Sequence, residues 1–292
     1  MSSFLQFLVG GISLGSIYGL IALGYTMVYG IAKMLNFAHG DVIMVGGFTA
    51  FTIVTTLGLH PVIAVLVSIV VCTVLGIVIE KVAYKPLRNA SSLSVLITAI
   101  GVSYLLQNLA LLIFGSNARQ FTSVVPAYKL NVGSIVITGE TLVTIVVSLI
   151  IILVLNFFIK KTKTGIAMLA VSEDKGAAEL MGINVNRTIS LTFAIGSALA
   201  AVAGVLLCSA YPQISAYTGQ MPGIKAFTAA VFGGVGSIPG AMIGGILLGV
   251  IENLSKAYIS PQLADAIVFG VLIIVLLVKP SGILGKNKNE KV

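Results

Sequence analysis

Long apolar segments separated by short polar intervals dominate the chain. The first, Phe4 to Ile31, contains no charged residue and is long enough to cross the roughly 30 Å hydrocarbon core of a bilayer. The later apolar segments are 42–56, 62–79, 93–114, 141–159, 188–208, 224–249 and 263–278. This pattern predicts an all-α membrane protein that crosses the bilayer several times.

Composition supports the same class. Of the 292 residues, 58% are apolar and 9% are charged, whereas soluble domains carry about 25% charged residues. The net charge of +8 fits basic residues collected in cytoplasmic loops better than a nucleic-acid surface. Cys72 and Cys208 both lie inside apolar segments, which suggests helix packing rather than a disulfide or a metal site.

The basic residues predict an orientation. We place the basic loops 80–88 and 160–187 and the basic tail 279–292 in the cytoplasm, which requires an odd number of crossings between Tyr211 and Lys279. Splitting 224–249 at the string GGVGSIPG, into a short broken helix and a full crossing, gives about nine crossings in all. Of the 17 Lys and Arg, only Arg119, Lys129, Lys225 and Lys256 then lie away from the cytoplasm, as the positive-inside bias predicts.

The nine crossings suggest an inverted-topology repeat between 4–114 and 188–278. Each half has a Gly-rich first span, an interrupted second span, and a third span that opens after a proline, Pro61 or Pro239. The third spans close on similar strings, LGIVIE at 75–80 and LGVIE at 248–252. Inverted repeats are common in transporters, which place the pathway at the repeat interface.

Two polar intervals interrupt the apolar pattern. The external one, 115–140, has a glycine between β-prone runs and predicts a small hairpin. The other, 160–187, is the most highly charged, and its middle predicts two short helices separated by a break. Gly182 follows AAELM as a helix C-cap would. The apolar residues within this interval favour a docking element over a plain linker.

Polar residues and glycines mark two candidate pathway regions. Asn36, His39 and Asp41 stand near the start of the second span, where we favour capping of exposed backbone groups over proton coupling. The second region is the break in the 224–249 segment, where the candidates are Gly233, Gly234, Gly236, Pro239 and Gly240. Its glycines favour tight helix contacts, and exposed backbone lining the solute path is compatible with that reading.

The sequence favours no catalytic function. It contains no Walker A string, no His/Glu metal spacing and no nucleophile elbow, so we expect no catalytic residue, no metal site, no cofactor and no ATP hydrolysis by this chain. Asp41 and Asp265 are near span ends, which argues against the paired intramembrane carboxylates of a protease.

The string AVSEDKGAAELMGI resembles the cytoplasmic coupling loop of ABC importer permeases. Ala177, Ala178 and Gly182 fit that loop's pattern, and Gly176 stands where the pattern has Glu. Over nearly the whole chain, the strings GYTMVYGIAKMLNFAHGD (24–41), EKVAYKPLR (80–88) and KAFTAAVFGGVGSIPGAMIGG (225–245) resemble the branched-chain amino-acid permease family, specifically the shorter permease subunit of the leucine/isoleucine/valine importer.

The resemblance implies a multi-pass subunit of a bacterial or archaeal plasma (inner) membrane. It implies pairing with a second permease subunit, two ATPase subunits that hydrolyse ATP, and an external binding protein that delivers the solute. The ATPase would be contacted by the coupling loop, with Glu173, Asp174, Ala177, Ala178 and Gly182 as its candidate residues. A urea or short-amide permease of the same family remains open as the alternative, and a stand-alone channel or ion-coupled carrier is a further one.

Overall fold

A computed structural model describes residues 2–88, 90–132 and 135–285. The last three basic residues of the predicted tail, Lys286, Lys288 and Lys291, lie outside them. The helices are α1 (Ser2–Ala32), α2 (His39–Phe51), α3 (Pro61–Ile79), α4 (Ser92–Phe114), α5 (Gly139–Lys161), α6 (Lys163–Glu173), α7 (Lys175–Leu180), α8 (Val185–Ala210), α9 (Gln220–Gly233), α10 (Ile238–Tyr258) and α11 (Ala264–Val278).

Two small antiparallel strand pairs lie between the helices. The strands are β1 (Arg119–Gln120), β2 (Lys129–Val132), β3 (Ile135–Thr138) and β4 (Gln213–Ile214). Strand β2 pairs with β3, in register from Lys129 opposite Thr138, which confirms the hairpin predicted within 115–140. Strand β1 pairs with β4 and so joins the two polar segments that follow α4 and α8.

Helix α1 is the centre of the molecule and packs along α10 through glycines. A Cβ on Gly15 would lie 2.6 Å from the Cα of Ile246, and one on Gly249 would lie 2.3 Å from the Cα of Gly15. The two backbones therefore touch directly, as small residues allow at helix interfaces in membranes. The glycines of the Gly-rich first span are what make this close approach possible.

The other central contacts join the first part of the chain to the second part in exchanged pairs. Helix α3 packs on α8 as α1 packs on α10, α1 meets α8, and α2 meets α9. The α1–α8 crossing brings Gly24 to Gly196. At the α2–α9 contact, a Cβ on Gly219 would lie 1.8 Å from the backbone oxygen of Gly40. The first residues of α2 and α9 thus meet inside the helix bundle.

Helices α3, α4 and α5 form an apolar outer layer. Less than a third of the most apolar stretch of each is buried, and their outward side chains include Leu66, Leu112 and Phe157. Within the described residues, six helices are long and apolar enough to cross a membrane: α1, α3 with its extension, α4, α5, α8 and α10. The chain is therefore a polytopic, mostly helical membrane protein. Helices α2, α9 and α11 are shorter, so the nine-crossing count remains a prediction.

The segment 80–88 is not the loop that its charges predicted. The chain continues from α3 through a π-helical turn, Glu80–Tyr84, and a 3₁₀ turn, Lys85–Leu87. Glu80 and Tyr84 are completely buried in this extension. One face of this charged segment is buried against α8, and Lys81 on the other face is exposed. This amphipathic arrangement stabilises the helical conformation.

The predicted break in the 224–249 segment exists but is shorter than GGVGSIPG. Only residues 234–237 separate α9 from α10, and Gly234 and Gly236 adopt positive φ angles of 105° and 90°. Pro239 stands in the first turn of α10, where its missing N–H does no harm. Gly240 is helical, and the Cβ positions of Gly240 and Gly233 would each collide with the other's backbone.

The α1–α10 contact predicts that Gly15→Ala destabilises the protein. The added methyl group would collide with backbone that cannot move aside, which costs roughly 1–3 kcal/mol. Gly101→Ala, on an open face of α4 with nothing within 4 Å of its Cβ position, is the matched control and should gain up to about 1 kcal/mol in helix propensity. Thermal unfolding of both variants in detergent would measure this, and equal melting temperatures would contradict the direct backbone contact.

Candidate functional site

The predicted docking element consists of α6 and α7 and lies between α5 and α8. Thr162 caps α6 by accepting a hydrogen bond from the Gly165 N–H at 3.0 Å, and Asp174 caps α7 by accepting one from the Ala177 N–H at 3.0 Å. Gly182 ends α7 with φ 81°, and the Ile183 N–H returns to the Ala178 carbonyl at 3.0 Å. The two short helices, the break and the glycine C-cap are therefore confirmed.

This element has an inner apolar face and an outer apolar tip. Met168 and Val171 of α6 and Ala178 of α7 are buried in the main core. In contrast, Leu180 is 90% exposed and Met181 is 82% exposed. Large apolar side chains this exposed on a polar segment suit a contact with another protein. We call residues 163–183 the α6–α7 surface.

Lys175 fastens the α6–α7 surface to the end of α1. Its Nζ donates a hydrogen bond to the Ala32 carbonyl at 3.0 Å, so it satisfies one of the free carbonyls at the helix C-terminus. Just beyond, Lys33 turns the chain with a φ of 60°. Burial lowers the pKa of Lys175, and the nearby positive charge of Arg88 lowers it further.

A buried polar network lies beside this attachment and is centred on Glu80. Arg88 pairs with Glu80 Oε1 and also donates to the side chain of Asn186 in α8. Ser190, one turn further along α8, donates to Glu80 Oε2 at 2.6 Å. The network joins the α3 extension to the start of α8, immediately after the α6–α7 surface. Charge on both Glu80 and Arg88 was visible in the sequence, but their pairing depends on the helical extension.

Capping does not account for the polar residues before and within α2. The N-cap is Ala38, and no side chain caps the helix. The side-chain oxygen of Asn36 accepts a hydrogen bond from the Tyr84 hydroxyl at 3.0 Å, while the His39 ring packs edge-on against Tyr25 at 4.7 Å between centroids. The capping interpretation is wrong because these side chains reach neighbouring helices instead.

Asp41 lies in the first turn of α2 and is 2% exposed. Gln107 of α4 donates from Nε2 to Asp41 Oδ1 at 2.9 Å and lies 3.3 Å from the hydroxyl of Ser103. The Asp41 side chain borders a cavity of about 250 Å³ between α1, α2, α4 and α9. The cavity is lined by Tyr25, Phe37, Gly40, Asp41, Ile100, Ser103, Tyr104, Gln107, Gln220, Gly223 and Ile224.

The two candidate pathway regions do not come together. The cavity is lined by the first residues of α9 but by none of the residues 233–240. The break between α9 and α10 is instead covered by the segment after α11, where the Ile283 N–H bonds the Phe232 carbonyl at 2.9 Å and the Leu284 N–H bonds the Gly233 carbonyl at 3.0 Å. Of the candidate residues, only Asp41 lines the cavity.

Sequence reasoning missed a second buried ionic cluster, at Glu252 of α10. Its carboxylate accepts from Lys225 at 2.8 Å, from Lys256 at 2.6 Å and from the Tyr18 hydroxyl at 2.9 Å. Lys225 also pairs with Asp265 at 2.6 Å. Two of the four basic residues that departed from the positive-inside bias are therefore paired with the Glu252 carboxylate, Lys225 in the interior and Lys256 partly exposed. The similarity of LGIVIE and LGVIE was the available signal, because each string ends on a buried, ion-paired glutamate.

Comparisons with known proteins identify the family of this chain over nearly its whole length. A family model described as "Branched-chain amino acid transport system / permease component" matches residues 7–277. The chain belongs to this family. It is 48% identical to the high-affinity branched-chain amino acid transport system permease protein LivH of Escherichia coli K12, over 99% of this chain and 98% of LivH.

Other relatives agree with the assignment. The corresponding permease BraD of Pseudomonas aeruginosa is 46% identical, over 99% of this chain and 98% of BraD. Among solved structures, PsaBC from Streptococcus pneumoniae in complex with Fab matches with a TM-score of 0.50 and 16% identity, covering 95% of this chain and 92% of that one. This likeness extends to the fold alone. The family resemblance proposed from the sequence is confirmed.

The Glu80 network predicts a large effect of Arg88→Gln. Removing the guanidinium leaves a fully buried carboxylate without its cation, which costs roughly 3–5 kcal/mol. Lys81→Gln is the matched control, because Lys81 is exposed in the same segment. Thermal unfolding in detergent should show a lower melting temperature for the first variant only, with partial recovery in the double variant Glu80→Gln/Arg88→Gln. Equal melting temperatures for the two single variants would rule out the ion pair as a stabilising contact.

Proposed function

We propose that this chain is the permease subunit of a binding-protein-dependent ABC importer that carries leucine, isoleucine and valine across the plasma membrane. The observation that carries the proposal is the near-full-length similarity to branched-chain amino acid permeases. The bundle of apolar helices with one polar, partly exposed α6–α7 surface fits such a subunit. In it, this chain pairs with a second permease, two ATPase subunits and an external solute-binding protein.

The α6–α7 surface is the contact for an ATPase subunit in this proposal. Its exposed tip at Leu180 and Met181 supplies apolar area for docking, while Glu173 and Asp174 are exposed acidic residues beside it. Lys175 and the Glu80 network connect this surface to α1, α3 and α8. A movement of the ATPase subunit against this surface would therefore displace the ends of these helices, because the surface is not joined to them by a flexible linker alone.

Nine crossings in an inverted repeat complete the proposed topology, with the α6–α7 surface and the C-terminus in the cytoplasm. Support comes from the exchanged contacts, in which α1 packs on α10 and α3 on α8. Further support comes from the matching positions of Glu80 and Glu252, one buried carboxylate at the end of each related string. The meeting of α2 and α9 near the centre agrees with broken helices at a repeat interface.

The solute is tested by uptake in a strain that lacks its own branched-chain permease. Cells that express this chain with its partner subunits should accumulate labelled leucine in an ATP-dependent manner and should not accumulate labelled urea. Urea uptake with unchanged leucine uptake would favour the alternative permease of the same family. Flux through this chain reconstituted alone would instead indicate a channel or carrier and overturn the proposal.

Docking is tested by Leu180→Asp. A carboxylate at the exposed apolar tip should abolish co-purification of the ATPase subunits, because it would be buried there without a partner. Leu130→Asp is the matched control, since Leu130 is an exposed apolar residue of β2 at the other end of α5. If Leu130→Asp releases the ATPase and Leu180→Asp does not, the proposed orientation is reversed.

Two further variants test the backbone conformation and the charge of the α6–α7 surface separately, as contributions to ATPase docking. Gly182→Pro removes the N–H that bonds the Glu179 carbonyl at 2.9 Å and cannot adopt the positive φ of this position. Glu173→Lys reverses one exposed charge. Both should weaken ATPase co-purification while the permease still inserts into the membrane. Normal co-purification of both variants would contradict a coupling role for these residues.

A further inference from the structure

The cavity between α1, α2, α4 and α9 supports an inference about how the solute is bound. This inference rests on the proposed function. Its only charged lining residue among those described is Asp41. No ion pair of the described residues includes that carboxylate. The other deeply buried carboxylates, Glu80 and Glu252, each have a cation within contact distance. Among the residues that the structure describes, Asp41 is thus a deeply buried acid without a paired cation.

The surroundings of Asp41 hold it in place without neutralising it. Gln107 donates one hydrogen bond to Oδ1 at 2.9 Å, and Gln107 is itself buried. Ser103, the middle residue of α4, adds a hydroxyl at the cavity wall. A carboxylate within an apolar bundle is costly unless a cation or more donors reach it. An ammonium group entering the cavity would meet this need.

The remaining walls fit an aliphatic side chain. Phe37, Ile100 and Ile224 border the same space as Asp41. The volume, about 250 Å³, is slightly below the roughly 300–1,000 Å³ of pockets for drug-sized ligands, so it suits a smaller molecule. One acidic end and one apolar end match an amino acid with a branched hydrocarbon side chain, and they do not match neutral urea.

The rim of the cavity includes two exposed polar side chains. Tyr104 is 61% exposed at its rim, and Gln220 is also exposed there. Polar groups at this depth of the bundle normally face another protein or a water-filled path. In the proposed importer, a polar rim of this kind would border the solute passage.

We propose that Asp41, positioned by Gln107, receives the α-ammonium group of the branched-chain amino acid as it passes through the membrane domain. Asp41 acts here as a transient binding residue, and Gln107 as its positioning residue. This assigns to the cavity a recognition step for the zwitterionic solute after its release from the external binding protein.

The test uses the complete transporter in proteoliposomes, with binding protein and leucine outside and ATP inside. Asp41→Asn keeps the shape and still accepts the hydrogen bond from Gln107, but it removes the charge. Labelled leucine uptake should fall at least about tenfold, because hydrogen bonds to charged groups contribute more than one decade in affinity. Co-purification of the ATPase subunits with this variant would show that the transporter has assembled. Glu140→Gln, a carboxylate at the start of α5, is the control and should transport normally.

The outcomes separate the two proposals. Wild-type uptake by an assembled Asp41→Asn transporter would overturn the role of Asp41 and leave the importer function intact. No ATP-dependent leucine uptake by the wild-type complex would overturn the importer function itself.

A second variant covers the case in which Asp41→Asn does not assemble. Tyr104→Lys would place a competing ammonium group at the cavity rim and should reduce leucine uptake at least about tenfold. Asn108→Lys, one turn further along the exposed side of α4 and outside the lining, controls for the added lysine. Equal uptake by the two lysine variants would overturn the proposed ammonium site.

Discussion

The direct backbone contact between α1 and α10 is the constraint on which the other helices depend. Lipid tails are as apolar as leucine side chains, so burial of hydrocarbon alone does not hold membrane helices together. The glycines of α1 instead allow two backbones to approach until dispersion contacts form along their length. Helix α8 then crosses α1 at Gly24 and Gly196. With α1 enclosed in this way, α3, α4 and α5 remain to face outward.

The buried charged side chains inside this bundle are also constrained by close packing. Glu80 and Glu252 are each buried and each paired with a basic residue from a nearby segment. Such pairs satisfy groups that could not otherwise remain in an apolar interior. They also tie helices together at specific points, since Glu80 joins the α3 extension to α8, and Glu252 joins α1, α9 and α10 through Tyr18 and Lys225. Asp41 differs because its partners are neutral, namely the amide of Gln107 and the hydroxyl of Ser103.

The position of the α6–α7 surface connects these contacts to transport. It is attached to the end of α1 through Lys175 and leads directly into α8, where Asn186 and Ser190 reach Arg88 and Glu80. Helix α1 packs against α9 and helix α8 packs against α2, and the first turns of α2 and α9 border the cavity. In the proposed importer, one continuous set of packed helices therefore lies between the ATPase contact and the solute passage.

The sequence by itself determined the membrane class, the family, the hairpin and the two short helices with their glycine cap. These follow from local signals: runs of apolar residues, turn chemistry and family strings within one segment. It did not determine the helical extension over 80–88, the pairing at Glu252 or the Asp41–Gln107 contact, and it gave the wrong role to the residues at the start of α2. Each of these depends on side chains far apart in the chain, 66 residues apart for Asp41 and Gln107. Only tertiary packing decides which polar groups become neighbours, because an apolar helix has several faces and its own sequence does not say which partner will cover each one.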